Sequence, residues 1–124
     1  MPHARILPPT TSDRGVRVAL IFALAAERLS LFYEHGQWLT EAQGATLAAE
    51  WLGRSKRNLP LDERRTLSAL SDQLARQVEE AVSREAGLHI THEMMEALDP
   101  NYRSEIAESL MAECERLLEA GPAA

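Results

Sequence analysis

The sequence predicts an all-α, single-domain bundle of about five helices. Three observations favour this class: apolar residues recur at helical spacing along the chain, no segment alternates apolar and polar residues as a strand does, and glycine and proline fall between the periodic segments. A length of 124 residues suits one domain. We expect residues 1–12 to form a flexible arm, residues 13–120 the helical domain and residues 121–124 a short tail.

The first two helices can be placed from their end signals. Helix 1 is predicted from about Asp13 to His35, because a Ser-Asp pair can cap its start and Gly36 can end it in a left-handed conformation. Thr40 and Gln43 have the spacing of a capping box, which predicts the start of helix 2. That helix should end near the glycine of "WLGRSKR".

The second half of the chain divides in the same way. Helix 3 is predicted from about Pro60 to Ala86, with Gly87 as its stop, and Thr91 is predicted to cap helix 4. Asp99-Pro100 should then end helix 4 and begin helix 5, which continues to the tail. The expected core stripes are Leu67, Leu70, Leu74, Val78, Ala81 and Val82 on helix 3, and Tyr102, Ile106, Leu110, Cys114 and Leu117 on helix 5.

The net charge of −6 is unevenly distributed. Residues 1–57 carry seven basic and five acidic groups, a net of +2, whereas residues 58–124 carry six basic and fourteen acidic groups, a net of −8. Such an acidic half repels nucleic acid and membrane surfaces. The longest apolar run, Val18 to Ala26, is far shorter than the roughly 20 residues needed to span a bilayer. With one cysteine and no secretory leader, we expect a cytoplasmic protein that binds neither nucleic acid nor membrane directly.

The "HITHE" segment is the strongest candidate for a metal site. Zinc takes three or four protein ligands, and here His89 and His92 are followed by Glu96 one turn further on. His89 is expected in the loop before helix 4, so the two histidines need not share a face. Cys114 lies on a core stripe and is expected to be a buried hydrophobe. We therefore predict no catalytic, cofactor-binding or metal-binding residue, with a small metal-dependent helical enzyme as the alternative.

A second alternative is a helix-turn-helix DNA-binding regulator. The segment "TLAAEWLGRSKRNL" resembles part of that motif, with Ser55 opening a second helix that carries Arg54, Lys56 and Arg57. Pro60 follows too soon, because a proline inside a helix costs about 3 kcal/mol. The recognition helix would be barely one turn long, so the basic segment is expected to be an exposed interhelix loop.

Helix 1 carries more apolar surface than one core face requires. Its broad face suits a core, and a second, narrow ridge of Leu20, Leu24 and Leu31 lies elsewhere on the helix. One arrangement places helix 1 at the centre, covered on both faces; in the other, the ridge joins two chains or engages a partner. The predicted dimer or partner interface consists of Leu20, Leu24, Leu31, Arg28, Leu47 and Trp51.

The segments "GVRVALIFALAAERLSLFYEHG" and "LTEAQGATLAAEWLG", in an all-helical layout, resemble the QslA-type quorum-sensing anti-activators. This resemblance implies a small helical homodimer without catalytic residues. It also implies a partner, the ligand-binding domain of a LuxR-type transcription activator, whose dimerisation and DNA binding would be blocked. The residues themselves favour the same kind of function, since they predict an acidic protein with surplus apolar helix surface. The expected function is therefore a protein-binding regulator rather than an enzyme.

Overall fold

The fold is a bundle of five α-helices in the computed structural model, which describes residues 5–10 and 12–122. The helices are α1 (Asp13–His35), α2 (Glu41–Arg54), α3 (Leu61–Ala81), α4 (Arg84–Glu96) and α5 (Glu105–Ala120). No β-strand occurs within those described ranges, so the predicted all-α class is confirmed. None of the described helices has both the length and the apolar character needed to cross a bilayer.

The central helix is α1, which packs against each of the other four. Its apolar run from Val18 to Ala26 is buried at every position, as expected of a helix surrounded by protein. Both predicted ends of this helix are confirmed: Ser12 Oγ accepts a hydrogen bond from Gly15 N, and Gly36 is left-handed with a φ of 65°. Of the two arrangements that the sequence allows for helix 1, the structure shows the covered one along this run.

The predicted surface ridge on α1 is wrong for two of its three leucines. Leu20 and Leu24 are 0% exposed, because neighbouring helices cover this side of α1 as well. Arg28 and Trp51, which the sequence assigned to the same interface, are also buried inside the chain. Leu31 lies beyond the covered run and remains partly exposed. A partner could therefore reach only the C-terminal end of the predicted ridge.

The boundary between α3 and α4 differs from the prediction. The third helix ends at Ala81, Val82 is extended with a φ of −133°, and Ser83 caps the fourth helix through a hydrogen bond from a first-turn N–H to its Oγ. Gly87, the predicted stop of helix 3, lies inside α4. A Cβ at this position would overlap the phenol of Tyr33, so the glycine serves helix packing rather than chain reversal.

The "HITHE" segment is consequently helical throughout, and the predicted cap at Thr91 is wrong. The Thr91 hydroxyl is buried within α4 and donates a hydrogen bond to the Gly87 carbonyl at 2.7 Å. His89 and His92 therefore lie on one helix, and both are exposed. The expectation that His89 lies in a loop before the helix is also wrong.

The last helix begins later than predicted. Asp99 forms a turn, in which its carboxylate and its carbonyl accept hydrogen bonds from two following backbone N–H groups, and Ser104 then caps α5. Tyr102 was assigned to the core stripe of helix 5 but lies before the helix. Its hydroxyl donates a hydrogen bond to Glu93 at 2.5 Å, so α5 contributes a shorter core stripe than expected.

The described part of the predicted flexible arm, residues 5–10, lies against the turn between α2 and α3. Leu7 is 5% exposed and its N–H donates a hydrogen bond to Ser55 Oγ at 2.9 Å. The Arg57 guanidinium donates to the Thr10 carbonyl at 2.6 Å. These contacts place the segment against the bundle, and the flexibility expected of this arm stays a prediction. Residues 1–4, 11 and 123–124 lie outside the described residues.

Candidate functional site

An open apolar groove lies between the C-terminal half of α1 and the helix that follows it. The groove has a volume of about 290 Å³, and it is lined by Leu31 of α1, Leu47 of α2 and Leu39 of the connecting loop. All three leucines are partly exposed. Two residues of the predicted interface thus meet at one surface site. Leu39 is not predicted, because it stands in a loop outside both helical patterns.

The loop that carries Leu39 is fixed on both sides. On one side, the Trp38 ring stacks on Phe32, with centroids 4.4 Å apart and planes inclined by 21°, and the Arg76 guanidinium lies 4.7 Å from the Trp38 centroid. On the other side, the predicted capping box that begins at Thr40 is present. The groove wall formed by Leu39 is therefore held by packing and hydrogen bonds.

A buried arginine sets the spacing of the helices around the groove. Arg28 Nε donates a hydrogen bond to Ser71 Oγ at 2.9 Å, and Nη2 donates to Ser68 Oγ at 2.7 Å. Burial lowers the pKa of Arg28, while Asp72, whose carboxylate lies 3.4 Å from Nη1, opposes that shift. Gly44 of α2 lies against Arg28 and Ser68, since a Cβ there would overlap both Nη2 and Ser68 Oγ. Arg28 therefore ties α1 to α3 and fixes how closely α2 approaches.

Two carboxylates, Glu27 and Glu50, border the groove. Burial raises the pKa of Glu27, and the nearby Glu50 raises it further, while Arg54 and Trp51 lower it. The Arg54 guanidinium is engaged elsewhere, because it stacks 4.5 Å from the Trp51 ring centroid and donates to a backbone carbonyl of the N-terminal segment. Neither carboxylate forms an ion pair with any side chain in the described part of the chain.

Trp51 lies in the core beside the acidic end of the groove. It is 0% exposed, and its Nε1 has no hydrogen-bond partner among residues 5–10 and 12–122. The indole lies near enough to the Glu27 carboxylate to lower its pKa, although no hydrogen bond of regular geometry forms. Trp51 therefore lies in the core, and its burial does not fit the predicted interface position.

The residues considered for metal or nucleophilic chemistry are not part of this groove. His89 Nε2 on α4 lies 3.8 Å from a Glu93 carboxylate oxygen. Where the structure describes the chain, no group of three or more His, Cys, Asp and Glu side chains could hold a metal ion. Cys114 is 0% exposed, and burial raises the pKa of its thiol to about 12, which agrees with the predicted core role.

A second groove, of about 570 Å³, lies on the other flank of α2. Its lining combines one carboxylate and small side chains of α2 with a leucine and two arginines near the start of α3: Glu41, Ala42, Ala45, Thr46, Ala49, Leu61, Arg64 and Arg65. The Nε of Arg64 is buried without a hydrogen-bond partner among the described residues. The groove on the α1 side of α2 is therefore bordered by two carboxylates, whereas the groove on the α3 side combines two guanidinium groups with the Glu41 carboxylate.

The basic segment considered for DNA binding forms the end of α2 and the turn that follows. Arg54 is the last residue of the helix, and Lys56 is left-handed with a φ of 56°. No helix begins at Ser55, because α3 starts only at Leu61. The short recognition helix of the alternative interpretation is therefore not formed.

The predicted interface residues separate into two groups. Four of them, Leu20, Leu24, Arg28 and Trp51, lie in the core, whereas Leu31 and Leu47 converge at the groove between α1 and α2. No family model, curated protein or solved structure matches this chain. A functional assignment must therefore start from the chemistry of the groove itself.

Proposed function

We propose that this protein is a non-enzymatic regulator that binds another protein through the groove between α1 and α2. The observation that carries this proposal is the set of three partly exposed leucines, Leu31, Leu39 and Leu47, on one concave surface. Singly exposed leucines are ordinary, but a contiguous apolar patch is typical of an interaction site. Full burial of each leucine stabilises a complex by about 1.5–3 kcal/mol, which offsets a substantial part of the estimated 4–15 kcal/mol that association costs.

The most concrete version of this function is anti-activation. The resemblance to QslA-type anti-activators points to a LuxR-type transcription activator as the partner, and binding would block that activator's dimerisation and hence its binding to DNA. The net charge of −6 supports action on a protein, because phosphate groups repel an acidic chain. We propose the cytoplasm, where such activators meet DNA, as the place of action.

We also propose that two copies of the chain associate through the groove between α2 and α3. Glu41 lies at the N-terminal end of α2, whereas Arg64 and Arg65 lie near the start of α3, on the same groove. Antiparallel packing of two α2 helices about a two-fold axis would bring Glu41 of each copy towards the arginines of the other. The small side chain of Ala45 at the middle permits close approach of the two backbones.

Titration of purified protein into LuxR-type activators of the source cell, each bound to its promoter fragment, tests the function. We expect one activator to leave the DNA and to change from dimer to monomer in light scattering. A variant with Leu31→Asp and Leu47→Asp should have no effect. The matched control is Leu88→Asp, since Leu88 is 42% exposed on α4, outside the groove. Unchanged inhibition by the double variant, or no response from any activator, would overturn the proposal.

A further inference from the structure

We propose that the occupant of the α1–α2 groove is an amphipathic α-helix that presents a Lys or Arg side chain to Glu27 and Glu50 and apolar side chains to the leucines. This inference rests on the protein-binding function proposed above and specifies the partner's chemistry. It is carried by three features of the groove: its shape, its two carboxylates without an ion pair to a described residue, and the register of its side chains.

The shape of the groove favours a helix resting across it. Two of its walls are themselves helices, and the furrow between two packed helices accepts the side-chain ridge of a third. A volume of about 290 Å³ receives a few side chains, not a whole chain segment. The occupant must therefore remain at the surface and insert side chains from one face, as amphipathic helices do with residues at i, i+3 and i+4.

The two carboxylates of the groove leave room for a further cation. Burial raises the pKa of Glu27 and Arg54 lowers it, but the Arg54 guanidinium stacks on Trp51 and donates to the Arg5 carbonyl, and it forms no ion pair with Glu27. Other carboxylates at helix contacts have one: Glu63 Oε1 lies 3.0 Å from Arg17 Nη2, and Asp72 pairs with two arginines. Glu27 and Glu50 instead line one groove, close enough for Glu50 to raise the pKa of Glu27, and neither forms an ion pair with a described residue. Two like charges beside an apolar surface disfavour one another, and an ammonium or guanidinium group between them would relieve both.

The register of the groove sets the spacing expected in the partner. On α1, Glu27 lies four residues before Leu31, and on α2, Leu47 lies three residues before Glu50. Each helix thus places one carboxylate one turn from one leucine, and Glu50 acts electrostatically on Glu27, so the two carboxylates lie at the same end of the groove. A partner helix with a basic residue one turn, about 5.4 Å, from an apolar residue matches both walls at once.

Selection from a displayed library of helical peptides tests this inference. The library has an alanine-rich helical scaffold with one randomised face, and the target is the immobilised full chain. We expect the selected peptides to carry Lys or Arg three or four residues from a large apolar residue, far above its frequency in the starting library. Selected peptides without this pair, or no selected peptide at all, would overturn the inference.

Binding of the best peptide to groove variants supplies the second measurement. Glu27→Gln with Glu50→Gln should weaken binding about tenfold or more, because the peptide's cation loses both partners. The matched control removes two exposed carboxylates outside the groove, Glu34→Gln with Glu108→Gln, and should bind within about twofold of the wild type. Equal affinity of the two double variants would overturn the inference.

A charge exchange completes the design. A peptide with its basic residue changed to Glu should bind poorly to the wild type and recover affinity for the Glu27→Lys, Glu50→Lys variant. Failure to recover would contradict the inference.

Binding of the physiological partner distinguishes this inference from the proposed function. If Leu31→Asp with Leu47→Asp releases that partner but Glu27→Gln with Glu50→Gln does not, the binding function stands and the proposed basic helix is wrong.

Discussion

Gly44 lies where α2 comes closest to the buried guanidinium of Arg28. Hydrogen bonds to two serines hold that guanidinium, so it cannot move aside for a larger residue at position 44. Gly53 lies on the same helix, and a Cβ there would meet no atom within 4 Å. These two glycines separate the effect of local propensity from the effect of packing.

We predict opposite outcomes for alanine at these two positions. Gly53→Ala should raise the free energy of unfolding by about 0.5–1 kcal/mol, because alanine is the better helix former. Gly44→Ala should lower it by about 1–3 kcal/mol, because overlap with Arg28 and Ser68 outweighs the same gain. Urea denaturation of both variants measures the difference, and a stabilised Gly44→Ala would show that Arg28 is not fixed.

Glu27 should make the protein less stable as the pH rises through the acidic range. Burial raises the pKa of its carboxyl in the folded chain, so the folded state binds this proton more tightly than the unfolded state. The resulting loss of stability begins above the unfolded pKa of about 4.3 and is complete once the pH exceeds the folded pKa. Glu27→Gln should therefore stabilise the chain at about pH 7 and much less at about pH 4. Urea titrations at both pH values test this, and an equal gain at each would contradict it.

At the scale of the helices, substitutions in the central helix α1 should lower the stability of the fold most. We predict that Leu24→Ala lowers the free energy of unfolding by about 2–5 kcal/mol, because the side chain is fully buried and leaves a cavity. The matched leucine is Leu47 on α2, which is partly exposed. Its replacement by alanine should lower the free energy of unfolding by less than about 1 kcal/mol. Thermal and urea unfolding measure both. Similar losses at the two sites would contradict the central position of α1.

The ends of helices could be predicted where the signal is local. Ser12 and Gly36 end α1 through a hydrogen bond and a dihedral angle that depend only on neighbouring residues, so the predicted bounds of α1 were correct. Gly87 was misinterpreted because its reason is tertiary, namely the space taken by Tyr33. Ser83, the actual cap, lacks the glutamate or glutamine three residues later that marks a capping box, so no local signal pointed to it.

The candidate site was predicted only in part, for a similar reason. Periodicity identified Leu31 and Leu47 as surplus apolar residues, and both line the groove. Periodicity on a single helix cannot show which faces the rest of the chain covers, so it also placed the buried Leu20 and Leu24 at the surface. Whether Glu27 finds an ion-pair partner depends on which cations lie nearby in space, and the linear pattern does not show this either.

At the scale of the whole molecule, the proposed dimer gives a direct measurement. We predict that light scattering after gel filtration gives twice the 13.8 kDa of one chain. Ala45→Arg should reduce the mass to that of the monomer, because it places a long cation beside Arg64 and Arg65 in the closely packed seam. Ala112→Arg, at an exposed alanine of α5, is the control and should leave the mass unchanged. A monomeric wild type, or a dimeric Ala45→Arg variant, would contradict the proposed seam.

Because Cys114 is buried, the rate at which its thiol is labelled can measure how often the whole bundle opens. Its thiol is fully buried, and burial raises its pKa to about 12, so a thiol reagent reacts with it only after the bundle opens. The labelling rate in buffer therefore reports how often the chain opens, without any denaturant. A ligand that binds only the folded chain makes these openings rarer. Slower labelling of Cys114, the only cysteine of the sequence, should thus detect a partner that binds at the groove, although Cys114 does not line it.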